Sequence, residues 1–99
     1  MNHVAKYQEE IRETCSKHYV DKLYLFGSAT NDKFSESSDI DLLVKFLPFE
    51  REEYFNNFLN FKSNLEALLK RKVDLLEEQA LKNPVLINSI AKSKSLIYG

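Results

Sequence analysis

Three carboxylates and one Gly-Ser pair are the residues whose types and spacing could do chemistry. Leu25-Phe26-Gly27-Ser28 is followed, after ten intervening residues, by Asp39-Ile40-Asp41-Leu42-Leu43-Val44, and Asp74 stands later in Val73-Asp74-Leu75-Leu76. Glycine directly after an apolar run lets a large anion approach the backbone. The amides that follow and the Ser28 hydroxyl can then donate to phosphate oxygens. By itself the pair reads more readily as an ordinary turn that ends a strand. Asp39 and Asp41 are two residues apart, so on a strand both project from the same face. Neighbouring anions repel and aspartate disfavours strands, so the pair calls for compensation, which a hard divalent cation supplies. Taken alone, Asp-x-Asp also describes two solvated acids at a strand edge, with Asp39 capping the turn before it. Asp74 interrupts an apolar run, where a lone carboxylate is costly unless paired or bound to metal; exposure at a sheet edge is its other reading. If its strand lies beside that of Asp39 and Asp41, the three converge. Such a cluster can hold two magnesium ions, one gathering a triphosphate and one lowering the pKa of an attacking hydroxyl.

The hydrophobic pattern predicts the elements that must position these groups. Val4, Tyr7, Ile11 and Cys15 recur at helical spacing, which predicts an amphipathic helix over 2–17. Leu23-Tyr24-Leu25-Phe26 predicts a short buried strand over 22–26, stopped by Gly27. Residues 28–38 are polar, with a turn at Asn31-Asp32, and Ser28 is a competent N-cap for a short helix. A second strand over 39–46 sets Ile40, Leu42, Val44 and Phe46 on one face and Asp39, Asp41 and Leu43 on the other. Pro48 ends it. Tyr54, Phe58, Phe61, Leu65 and Leu68 step by four and three, widened by Phe55 and Leu69, and predict a long helix over 50–70. A third strand spans 73–77. Asn83-Pro84 opens a helix that runs to about Ser93, with Leu86, Ile87, Ile90 and Ala91 as its buried face. Leu96-Ile97-Tyr98 reads as a terminal strand. Helices interleaved with strands in this way specify an α/β sheet with helices packed on it.

Bulk properties narrow the function classes. The 99 residues fit one domain, large enough for a core that needs no staples. A composition of 43% hydrophobic and 29% charged residues excludes a disordered or low-complexity chain. The net charge of −1 provides no basic field for nucleic acid or an anionic membrane, so neither is an expected partner. Lys70-Arg71-Lys72 reads as cations flanking a helix end rather than a nucleic-acid patch. The single cysteine, Cys15, excludes an intrachain disulfide and reads as core packing. His3 and His18 lack partners at metal-ligand spacing, and Glu77-Glu78 reads as a solvated strand end. Met1-Asn2-His3-Val4 lacks the basic-then-apolar start of a secretory signal, and no apolar run approaches the ~20 residues of a membrane span. A cytoplasmic location is the expectation.

Gly27-Ser28, a spacer of ten, and Asp39-x-Asp41 together resemble the signature of the DNA polymerase β nucleotidyltransferase superfamily. Ser38-Asp39-Ile40-Asp41-Leu42-Leu43-Val44, Val73-Asp74-Leu75 and the ending from Asn83-Pro84 to Leu96-Ile97-Tyr98 resemble its MNT-type (minimal nucleotidyltransferase) branch, the antitoxins paired with HEPN-domain RNase toxins. The likeness spans nearly the whole chain. It implies one nucleotidyltransferase domain over 1–99, a mixed sheet of about four strands with helices packed on it. It implies that Gly27 and Ser28 hold the β- and γ-phosphates of ATP. Asp39 and Asp41 would ligate magnesium, and Asp74 would complete a second metal site and help activate the acceptor hydroxyl. It implies AMP transfer to a tyrosine of a partner HEPN toxin, which is silenced, and a hetero-oligomer with that toxin. The chain departs from many members in carrying Ala29 where an arginine follows Gly-Ser; Lys33 offers a nearby cation. Two other readings are a catalytically weak antitoxin that acts by occluding its toxin, and a small-molecule nucleotidyltransferase. The latter ordinarily needs an acceptor-binding domain for which 99 residues leave little room.

Overall fold

Alternate residues of the central strand face opposite ways, and that alternation decides how the layers stack. The computed structural model describes residues 6–26, 39–48 and 51–99. Its elements are helix α1 (Gln8–Lys17), strands β1 (Val20–Phe26) and β2 (Ile40–Phe46), helix α2 (Arg51–Leu69), strand β3 (Val73–Glu77), a 3-10 turn (Glu78–Ala80), helix α3 (Pro84–Ser93) and strand β4 (Ser95–Tyr98). The strands form one sheet in the order β3-β2-β1-β4. β1 runs antiparallel to β2 and to β4, whereas β2 and β3 are parallel. A parallel pair cannot be closed by a hairpin, so α2 serves as the crossover between them. This is the mixed four-stranded α/β sheet that the sequence implies.

One face of the sheet carries the core. Ile40, Leu42, Val44 and Phe46 of β2 meet Leu23 and Leu25 of β1, Val73 and Leu75 of β3, Ile11 and Cys15 of α1, and Phe61, Leu65 and Leu69 of α2. All are buried. Full burial of one such side chain is worth about 1.5–3 kcal/mol, so this face supplies most of the cohesion. Phe46 adds orientation: Tyr54, Phe58 and Phe61 meet its ring edge-on, with centroids 5.6, 6.4 and 6.0 Å away, a favoured aromatic geometry. α3 lies on the other face, where Leu43 and Ile90 are the buried residues.

Several expectations are corrected. β1 begins at Val20, two residues before its predicted start, because a bulge at Asp21 breaks the alternation; Val20 is buried and pairs with Phe46. Phe55 does not widen the buried stripe of α2; it is 68% exposed, on the helix face turned away from the sheet. On α3 only Ile90 of the predicted face is buried. Leu86, Ile87 and Ala91 are exposed, because a groove lined by Ile87 and Ala91 stays open between the helix and the sheet. Glu77 and Glu78 are not a solvated strand end: β3 runs directly into the 3-10 turn, and Glu77 Oε1 and Glu78 Oε2 are buried without hydrogen-bond partners among the described residues. Other expectations stand. Asn83 Oδ1 accepts from the amides of Val85 and Leu86 at 3.0 and 3.4 Å, so it caps α3 with Pro84 at the first position. Lys70-Arg71-Lys72 lies just past the C-terminus of α2, where cations oppose the helix dipole. The expectations on His3, Val4, Gly27, Ser28 and the short helix after Ser28 lie outside the described residues. Among the described residues no helix is long and apolar enough to cross a membrane.

Candidate active site

The parallel pairing of β2 with β3 places Asp41 directly opposite Asp74. Neighbouring strands lie about 4.8 Å apart, so the two carboxylates are side by side on the face opposite the core. On the other side of β2, Asp41 pairs with Phe26, the last residue of β1 and the one bonded to Gly27. A row Asp74–Asp41–Phe26 therefore crosses three strands, and Gly27-Ser28 follows in sequence at its end.

Two hydrogen bonds fix this register. The backbone amide of Ile40 donates to the Lys72 carbonyl at 2.9 Å, tying the residue after Asp39 to the segment that enters β3. The amide of Val73 donates to Glu66 Oε2 at 2.9 Å, so α2 holds the start of β3 and with it Asp74. Sequence reading did not single out Glu66. Its only signal is a carboxylate beside the buried Leu65, near the helix end that leads into β3. Lys70, at φ 57°, makes the left-handed exit from α2 that lets the chain turn back into the sheet.

The electrostatics match the placement. The Asp41 carboxyl is raised above its ordinary pKa, first by burial, then by the charge of Asp74, then by that of Asp39. Asp39 and Asp74 are exposed, whereas Asp41 is half-buried between them. Like charges held this close destabilise the ionised site until a cation or donor arrives. Among the described residues no three His, Cys, Asp or Glu side chains are grouped closely enough to enclose a metal ion. Of the three carboxylates expected to converge, strand register sets Asp41 beside Asp74, and Asp39 does not join them in a group of three. A pair of hard oxygen donors fits magnesium that arrives with phosphate, because magnesium keeps several waters and is held by one or two carboxylates plus substrate oxygens.

Cys15 and His18 do not join this site. Cys15 is fully buried between α1 and the sheet, and burial pushes its thiol up to about 12, which suits core packing. His18 is engaged at the α1–β1 turn, its Nδ1 2.7 Å from the Thr14 carbonyl and its Nε2 3.3 Å from Asn64 Nδ2.

Fold and carboxylate row define a nucleotidyltransferase, and the comparisons agree. The family profile described as "Polymerase beta, Nucleotidyltransferase" matches residues 9–99, and the chain belongs to that family. It is 37% identical over 95 residues to MJ0128 of Methanocaldococcus jannaschii, a protein named for protein adenylyltransfer, covering 96% of this chain and 89% of the relative. It is 33% identical over 82 residues to protein adenylyltransferase MntA of Thermococcus cleftensis, covering 83% and 77%. Among solved structures, one described as a minimal nucleotidyltransferase superposes with a TM-score of 0.77 at 28% identity, covering 96% of this chain and 95% of that one. The fold also matches chains of two toxin–antitoxin complexes. One, with AMP-PNP, has a TM-score of 0.73 at 20% identity, covering 93% of this chain and 73% of the other. The second contains tri-AMPylated HEPN toxin and MNT antitoxin of Shewanella oneidensis, with a TM-score of 0.67 at 18% identity and coverage of 96% and 71%.

Proposed function

We propose that this chain is an antitoxin that transfers AMP from Mg-ATP to a hydroxyl, that of a tyrosine, on a partner HEPN toxin and so neutralises it. The observation that carries the reading is the register that sets Asp41 beside Asp74 and next to the end of β1. Gly27 and Ser28 follow that end and bind the β- and γ-phosphates. Asp41 and Asp74 would hold magnesium that arrives with the triphosphate, and Asp39, two residues before Asp41, would complete the ligand set for a second ion; the metal would neutralise phosphate charge. The residues orient the triphosphate so that the tyrosine oxygen attacks the α-phosphorus in line. The bond from the α-phosphorus to the α–β bridging oxygen breaks, and pyrophosphate leaves. A carboxylate oxygen of Asp74 stands to take the proton of the hydroxyl. Most of the acceleration in such a site is positioning and charge neutralisation. The relatives' names support protein as the acceptor class.

Incubation with α-labelled ATP, magnesium and the product of the neighbouring gene, followed by intact-mass analysis, tests the reading. The expected result is a magnesium-dependent gain of AMP on the partner. A tight complex with no mass change would replace transfer by occlusion as the mode of neutralisation.

A further inference from the structure

The proposed reaction leaves unsaid how a protein acceptor finds the carboxylates. The cross-strand pairs continue the catalytic face one row beyond Asp74–Asp41–Phe26: Leu76 of β3, Leu43 of β2, Tyr24 of β1 and Leu96 of β4 stand in line. Successive rows on one face are about 6.6 Å apart, so an apolar row adjoins the charged one. It is only partly roofed. α3 covers Leu43 with Ile90, and between helix and sheet lies a groove of about 140 Å³ lined by Leu43, Leu81, Ile87, Ile90 and Ala91, with Glu78 and Lys94 at its polar positions. Around it Leu86, Ile87 and Leu96 are 38%, 41% and 53% exposed. A contiguous exposed apolar patch of this kind marks an interaction surface.

Charge says what kind of surface fits it. Residues 79–99 contain Lys82, Lys92 and Lys94 and no acidic residue, in a chain whose net charge is −1. No ion pair among the described residues uses these lysines; Lys94 lies 4.4 Å over the Tyr24 ring, which fixes the end of α3 above the apolar row. Glu78 Oε2, buried and without a hydrogen-bond partner among the described residues, gives the groove one acceptor. A second exposed apolar pair, Phe55 and Leu59 on α2, is flanked by Glu52, Glu53 and Asn56 and faces away from the carboxylates. The two patches are therefore opposite in charge, and only one adjoins the site.

We propose that the groove between α3 and the sheet, with the exposed Leu86 and Ile87 at its α3 side and Leu96 on β4, is the docking surface for the acceptor protein. It takes an apolar side chain of that protein, while acidic residues around that side chain face Lys82 and Lys92. The inference rests on the transferase reading: docking here sets the acceptor one strand row from Asp41 and Asp74.

The test compares three variants of the full chain against the product of the neighbouring gene. Leu86→Glu with Ile87→Glu alters only exposed positions of α3, Phe55→Glu alters the α2 patch, and Asp41→Asn alters the charged row. Binding to the partner, AMP transfer to it, and affinity for Mg–AMP-PNP are measured for each, with thermal melts as the fold control. The α3 variant is expected to weaken partner binding and transfer at least tenfold while holding Mg–AMP-PNP as the parent does. Phe55→Glu is expected to match the parent, and Asp41→Asn to keep the complex while losing transfer. Wild-type partner affinity and transfer in the α3 variant, or loss of the complex in Phe55→Glu instead, would overturn the proposal. Conversion of a dimer to a monomer by the α3 variant would also overturn it, by assigning the surface to a second copy of this chain. Absence of transfer by the parent, with binding still lost in the α3 variant, would sink the transferase reading and leave the docking surface standing.

Discussion

The two faces of one sheet obey different rules. On the face covered by α1 and α2, the core side chains of β1, β2 and β3 are buried among helices, and the residues there do little beyond holding together. On the opposite face β2 presents Asp41 and Leu43 in succession, and α3 covers only part of what lies there. Stability and function have been separated by the two-residue period of a strand: Ile40, Leu42 and Val44 serve one side, and Asp41 and Leu43 the other. A charged site on a small domain has to be bought with a core elsewhere, and here the core lies directly behind it, across a single backbone.

That contrast can be broken from either side. The largest effect is expected from Asp41→Asn. Transfer should fall by on the order of 10^2-fold or more, the scale seen when one preorganised electrostatic group is removed. The melting temperature should hold or rise slightly, because the neighbouring charges that raise the Asp41 carboxyl lose a like-charged partner. Single-turnover transfer kinetics and a thermal melt check both halves.

Leu65→Ala on the core face should behave in the opposite way. Leu65 is fully buried, and such truncations cost about 2–5 kcal/mol, a large part of the ~5–15 kcal/mol by which a domain is stable. Leu86→Ala on α3 should stay within about 0.5 kcal/mol of the parent, as surface changes usually do. Urea denaturation of the pair measures the asymmetry directly. Equal losses would mean that α3 is as much a part of the core as α2.

Glu66→Ala connects the faces. It removes the acceptor that holds the Val73 amide at the entrance to β3, at a cost of about 1–3 kcal/mol for an amide left unsatisfied. It should also slow transfer, because Asp74 follows Val73. Glu66→Gln, which keeps an acceptor, should restore most of the rate; if it does not, the bond does not position Asp74.

Near neutral pH the smallest effect is that of Cys15, whose ionisation acts only at high pH. Its folded thiol titrates at about 12 against an ordinary 9.0, so the unfolded chain loses this proton first as pH rises. The contribution of Cys15 is therefore complete below pH 9 and is lost between there and pH 12, with a slope of up to about 1.4 kcal/mol per pH unit. Cys15→Ala should flatten that part of the stability profile. The parent thiol should resist alkylation at pH 8 until the chain is denatured.

How much of this was legible in the sequence follows the same division. The core face could be read because burial imposes a period: 40, 42, 44 and 46 on β2, and 61, 65 and 69 on α2. The carboxylates could be read because Asp39-x-Asp41 and Asp74 violate the apolar pattern around them. What could not be read depends on contacts between elements. The period of α3 is genuine, with Leu86, Ile87 and Ile90 on one side, but periodicity says only that a face is apolar and not that the chain supplies a cover for it. Phe55 misleads for the same reason, since its place in the helix is compatible with a widened stripe while α2 turns it outward. The bulge at Asp21 hides the start of β1 by breaking the alternation that would reveal it. Glu66 was silent because its role is a hydrogen bond to a backbone amide seven residues on, which leaves no pattern.

The most direct test of the carboxylate row is calorimetric titration of the purified chain with AMP-PNP, with and without magnesium, in the parent and in the double variant Asp41→Asn/Asp74→Asn. The account predicts binding by the parent that depends on magnesium and weakens at least tenfold in the double variant, whose fold remains intact by circular dichroism. Equal magnesium-dependent affinity in the two proteins would contradict it and move the nucleotide site away from the pairing of β2 with β3.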